Sequence, residues 1–118
     1  MKNQNNKITY IEFKAIDLEK IKTFYINCFS WAFKDYGPDY ASFSESGVYG
    51  GFEKTDKPIA NGVLIVLYHE DLNLIKNKII EEGGKITKNI FSFPGGHRFH
   101  FSDPSGNELA VWSDKFDK

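Results

Sequence analysis

Apolar and polar positions alternate from residue 8 to 16, with Tyr10, Glu12 and Lys14 on one side and Ile11, Phe13 and Ala15 on the other. That alternation predicts a strand with one buried face. The period then changes. Leu18, Ile21, Phe24, Tyr25, Cys28 and Phe29 recur at helical spacing behind Asp17, an N-cap residue, with Glu19 in the first turn. Short strands follow at 32–36, 40–44 and 48–52, separated by Gly37-Pro38-Asp39 and Glu45-Ser46-Gly47. Residues 54–61 include Pro58 and read as a linker. Beyond it lie a continuous apolar strand at 62–68 and a helix opened by Asp71, with Leu72, Ile75, Ile79 and Ile80 on its buried side. Gly83-Gly84 ends that helix, and a strand at 85–93 leads to the turn Pro94-Gly95-Gly96. A hairpin closes the chain: 98–102 and 108–112 alternate as strands about Asp103-Pro104-Ser105-Gly106-Asn107. Its second strand carries Glu108, Ala110 and Trp112 on one face and Leu109 and Val111 on the other.

The two halves repeat. Asp71-Leu72 follows Asp17-Leu18 by 54 positions, and Ile75-Lys76 follows Ile21-Lys22 by the same interval. Phe43-Ser44-Glu45-Ser46-Gly47 is echoed by Phe101-Ser102-Asp103-Pro104-Ser105-Gly106 with one residue inserted. Helix starts and turns agree in order, which favours a doubled β-α-β-β-β unit over chance likeness between two amphipathic segments.

Composition narrows the partners. A chain of 118 residues with 41% hydrophobic and 16% aromatic content folds without help from disulfide or metal. Its net charge of −1 and single arginine, Arg98, argue against a nucleic-acid or anionic-membrane surface. Cys28 stands alone, so no intrachain disulfide forms, and a buried inert thiol is expected there. The polar opening, residues 1–7, leads into no apolar segment of a secretory signal, and no run approaches a membrane span. The expectation is a cytoplasmic protein with no membrane partner.

The doubled unit, with its Asp-Leu helix start and Phe24-Tyr25, resembles the vicinal oxygen chelate superfamily of glyoxalase I, bleomycin-resistance proteins and extradiol dioxygenases. Glu12-Phe13, Gly83-Gly84 and Asp103-Pro104-x-Gly106-Asn107 add to the likeness, which runs from Ile8 to Trp112. It implies an α+β fold of two βαβββ modules, about 8–53 and 62–113, within one domain spanning 1–118. Each module would curl its sheet into half a cup, with the helices outside.

In that superfamily up to four residues hold a divalent metal, one from the first and one from the last strand of each module. The matching positions are Tyr10, Leu64, Ala110, and Gly50 or Gly51. Metal ligation there needs imidazole or carboxyl groups, and a lone phenol is a poor substitute. The expectation is therefore no metal and no cofactor. The resemblance then implies the non-metal branch, exemplified by the drug-sequestering bleomycin-resistance protein, a homodimer with ligands between chains.

Strand parity and the family pattern turn Tyr10, Glu12, Tyr49, Arg98, His100, Glu108 and Trp112 toward the cup, together with Tyr40 and Ser42. Apolar walls with a few convergent polar groups suit a small organic ligand. Arg98 reads either as an anion anchor or as half of an ion pair with Glu12 or Glu108. His100 reads either as a hydrogen-bonded core histidine or as a base. Tyr10 and Trp112 stack on a ligand or simply fill space, while His69 and His97 are expected to be solvated. Three functions stand open: a metal-independent small-molecule binder, a glyoxalase-type isomerase or lyase using Glu12 or His100 with Arg98 holding the substrate, and an accessory module with a filled cup.

Overall fold

A computed structural model describes residues 5, 6 and 8–115, so most of the polar opening 1–7 lies outside the described residues. The chain divides at Lys57/Pro58 into two compact units.

The first contains β1 (Tyr10–Ala15), α1 (Leu18–Phe29), β2 (Ala32–Asp35), β3 (Tyr40–Ser44) and β4 (Tyr49–Lys54). Its sheet has the order β1-β4-β3-β2, with β1 and β4 parallel and the other pairs antiparallel. The second contains β5 (Ile65–Tyr68), α2 (Leu72–Glu81), β6 (Lys85–Phe93), β7 (Gly96–Ser102) and β8 (Glu108–Ser113). Its order, β5-β8-β7-β6, and its strand directions are the same. The architecture is α+β, and the repeat in the sequence is a repeat in topology.

The helices begin where the aspartates place them. Asp17 accepts the Lys20 N–H and Asp71 the Leu74 N–H, each at 3.1 Å, which satisfies a donor the helix itself leaves free. Gly83, at φ +98°, turns the chain out of α2, and the Gly84 N–H reaches back to the Ile79 carbonyl at 2.8 Å.

One sheet face in each unit packs under its helix. In the first this core is aromatic: Tyr25 stacks on Trp31 at 4.6 Å, Trp31 meets Phe43 at 4.6 Å, and Phe52 lies 5.3 Å from Tyr25. In the second it is largely aliphatic, with Leu72, Ile75 and Ile79 of α2 buried along with Leu109, Val111, Phe99 and Phe101 of the sheet. Each fully buried side chain of this kind contributes roughly 1.5–3 kcal/mol of transfer free energy. Cys28 is buried in the α1 stripe.

Several boundaries differ from the sequence pattern. The strand expected at 62–68 begins only at Ile65, because β8, its parallel partner, starts at Glu108. The Asn61 side chain instead clips this segment to the turn, donating to the Gly106 carbonyl and accepting the Glu108 N–H, both at 3.0 Å. β4 runs on to Lys54, into the expected linker, since β1 offers it a partner as far as Ala15. β7 starts at Gly96, two residues before the expected strand.

Candidate functional site

The face of each sheet turned away from its helix carries the chemistry. In the first unit register gives three rows across the strands. Tyr10 lies opposite Tyr49; Glu12, Gly51, Ser42 and Lys34 form the second row; Lys14, Glu53 and Tyr40 form the third. Lys14 and Glu53 form an ion pair, exposed and therefore of small energetic weight. The Tyr40 side chain reaches diagonally over Gly51. Its hydroxyl donates to Glu12 Oε1 at 3.0 Å and lies 2.5 Å from the Tyr10 hydroxyl. A Cβ on Gly51 would stand 2.3 Å from the Tyr40 oxygen and 2.8 Å from that of Tyr10, so only glycine leaves room for the phenol pair. Gly50 makes the same allowance on the opposite face, where Phe43 occupies the space. Burial, followed by the hydrogen bonds to Tyr10 and Glu12, pushes the Tyr40 phenol well above its ordinary range. Tyr10, Tyr40, Tyr49, Lys34 and Ser42 line an open trough of about 710 Å³.

In the second unit Arg98, His100, Trp112 and Glu108 share the open face, as parity predicts. Of the two roles open to Arg98, the ion pair with Glu108 does not form: among the described residues of this unit no carboxylate lies within ion-pair distance, and Glu108 is engaged by other partners. Glu108 Oε2 accepts the Thr87 hydroxyl at 3.0 Å and faces His100 Nδ1 at 3.4 Å. The guanidinium is flanked instead by Phe91 and Phe93, with centroids 5.4 and 5.7 Å from Cζ, inside cation–π range. Arg98 Nε and His100 Nε2 are both buried without a hydrogen-bond partner. Such nitrogens are uncommon in folded proteins and call for a partner, a water or an ion among them, that the protein itself does not supply. Trp112 meets Tyr68 edge-on at 5.2 Å and Phe93 at 6.4 Å.

The two remaining histidines are not solvated as expected. His69 is half-buried, because its Nδ1 accepts the Asp71 N–H at 2.9 Å at the head of α2. His97 is half-buried within β7, opposite Ser113.

Sequence reasoning missed Phe91, Phe93 and Lys88 on this face. Two register shifts in β6, between Ile86 and Lys88 and between Lys88 and Phe91, break the parity on which such a reading depends. Tyr40 was placed on its face, but its bridging of Tyr10 and Glu12 is a diagonal contact that no strand-by-strand count contains.

Register also resolves the superfamily's metal positions. Phe43 pairs with Gly50 as Phe101 pairs with Leu109, so Gly51 is the equivalent of Ala110. The four positions thus hold Tyr10, Gly51, Leu64 and Ala110: one phenol and three side chains with no donor atom. These residues do not fit a divalent metal. Among the described residues no group of three or more His, Cys, Asp or Glu side chains is placed to hold one. No helix among them is long and apolar enough to cross a membrane.

Comparison with known proteins agrees with this architecture. The family model of the Glyoxalase/Bleomycin resistance protein/Dioxygenase superfamily matches residues 7–111. A search of curated proteins finds no significant match. Among solved structures, a glyoxalase/bleomycin resistance protein/dioxygenase family enzyme from Burkholderia phytofirmans superposes with TM-score 0.78 at 12% identity, covering 89% of this chain and 96% of that one. A fosfomycin resistance protein from Listeria monocytogenes, complexed with Mn(II) and dihydroxypropylphosphonic acid, gives 0.79 at 16%, covering 93% and 91%. The bleomycin-binding protein of Streptomyces verticillus, complexed with copper(II)-bleomycin, gives 0.67 at 15%, covering 93% and 98%. At these identities the structural likeness speaks for the fold alone. Together with the match of the family model over nearly the whole sequence, it leads to one conclusion: the chain belongs to the glyoxalase/bleomycin resistance protein/dioxygenase superfamily.

Proposed function

We propose that the protein binds or sequesters a small organic molecule on the open faces of its sheets, without a metal and as a homodimer. The observation that carries this reading is the state of Arg98. A guanidinium flanked by two phenyl rings, without a hydrogen-bond partner at Nε and, among the described residues, without a carboxylate within ion-pair distance, is suited to an anionic group from outside. The open trough of the first unit supports a ligand-binding role over that of an accessory module with a filled cup. Donor-free side chains at Gly51, Leu64 and Ala110 support metal independence. The bleomycin-binding and fosfomycin resistance proteins among the structural neighbours, both complexed with small molecules, lend the same reading weight.

The test is a thermal-shift screen of small organic compounds, with divalent metals titrated in parallel by calorimetry. A ligand that binds only the native state raises the melting temperature in proportion to RT ln(1 + [L]/Kd). Anionic compounds are expected to give the largest shifts, and Arg98→Met to remove those of compounds held on the second unit's open face; Mn²⁺ and Zn²⁺ are expected to give no stoichiometric heat. Tight one-to-one metal binding, or a screen without a single stabilising compound, overturns the reading.

One contact favours an isomerase or lyase as the second reading. Glu108 faces His100 Nδ1, the arrangement that orients an imidazole so that Nε2 serves as a base. Under it, His100→Ala abolishes turnover and leaves ligand affinity largely intact, whereas equal loss of both returns the decision to simple binding.

A further inference from the structure

Protons can be counted along the Tyr10–Tyr40–Glu12 chain. A carboxylate only accepts, and each phenol has one proton to give. Tyr40 donates its proton to Glu12 Oε1, so the hydrogen in the 2.5 Å contact between the phenols comes from Tyr10. Toward the trough, the Tyr10 oxygen therefore offers lone pairs and nothing to donate. Gly51 provides the space the chain occupies.

The opposite edge of the same sheet has the opposite character. Lys34 lies on β2, in the register row that runs through Ser42 and Gly51 to Glu12 on β1. Among the described residues no carboxylate pairs with it, and its Nζ stands 5.3 Å over the Tyr36 ring. Between the two edges the row holds Ser42 and Gly51, with the Tyr40 phenol lying over the glycine. Tyr49, opposite Tyr10, is exposed beside it. Edge strands of a four-stranded sheet lie three spacings apart, about 14 Å between backbones. Lys34 and Tyr10 both line the trough from these two edges, together with Tyr40, Ser42 and Tyr49.

We propose that this trough selects a planar organic acid whose far end carries an O–H or N–H donor, its anionic group toward Lys34 and its donor bonded to the Tyr10 oxygen. The proposal rests on the reading that the open faces take small organic ligands, and it names the class taken by the first unit.

Three acids of one shape test it by calorimetry and two-dimensional NMR: para-hydroxybenzoate, para-methoxybenzoate and benzoate. The donor-bearing acid is expected to bind about fivefold tighter than the other two, the value of one neutral hydrogen bond. Tyr10→Phe brings the three to one affinity. Lys34→Met weakens all three together. Glu12→Gln, whose amide can donate into the chain, lets Tyr10 keep its proton and reduces the preference. The NMR spectrum shows that each variant is folded. Equal affinities in the unaltered protein, a preference that survives Tyr10→Phe, or no binding of any acid overturns the proposal. Hits from the open screen whose NMR shifts map elsewhere leave the broader binding reading standing while this one falls; an empty screen brings down both.

Discussion

Asp103 is buried, and its carboxylate gathers the closing turn: Oδ1 accepts the N–H groups of Ser105, Gly106 and Asn107 at 2.9–3.0 Å, and Oδ2 accepts the Asn107 amide at 3.0 Å. Removing the acceptor strands those donors, so Asp103→Ala is expected to cost about 3 kcal/mol, read as a lower midpoint of urea unfolding at unchanged slope. Gly51 is the second residue whose identity is dictated locally. Gly51→Ala drives a methyl group into both phenol oxygens, costs about 1–3 kcal/mol by overpacking, and moves the Tyr40 titration back toward the ordinary range. The sign of the Tyr40 effect on stability is determined by its raised value. Its contribution is complete below about pH 10, where an unfolded tyrosine titrates, and is lost as pH rises through the higher folded value. Alkaline unfolding followed by fluorescence is expected to show this loss, and Tyr40→Phe to abolish it.

At the scale of the element, the helices depend on their caps. Asp17→Ala and Asp71→Ala are each expected to cost about 1 kcal/mol, and the double variant their sum, since the two caps share no partner. Thermal unfolding of the single and double variants checks both numbers. Asn61→Ala is expected to fray the entry to β5, seen as faster amide exchange at Glu108, whose N–H loses its acceptor. The elements themselves were legible in the sequence: both helices, the hairpin parity of β8 and the order of strands follow from period and turn residues. β5 was read too long because an apolar run at 62–64 carries no sign that its partner strand begins only at Glu108.

For the molecule as a whole, the repeat predicted from Asp-Leu and Phe-Ser echoes is matched by two sheets of identical order and direction. Apolar side chains remain exposed on or beside the edge strands β1 and β5, among them Ile8, Tyr10, Val63, Leu64 and Val66. Apolar side chains left exposed at a strand edge favour association. Sedimentation at micromolar concentration is expected to give the mass of two chains, with Val66→Lys shifting it toward one; a monomer in the unaltered protein contradicts the homodimer reading.

Period, parity and turn chemistry are local properties of a chain, which is why the sequence alone determined the order of elements, the doubling and, outside β6, the side chains on each open face. It also determined that three of the four metal positions lack a donor atom, because donor chemistry belongs to the residue and not to its surroundings. Partnership is a different kind of quantity. Which ring side chains flank Arg98 depends on two register shifts in β6 that together move its partner by two positions, to Phe91. Whether Tyr10 donates or accepts depends on a phenol from two strands away. Only the tertiary structure decided these, since hydrogen bonds and ring contacts are settled by separations of a few tenths of an ångström between residues distant in the chain.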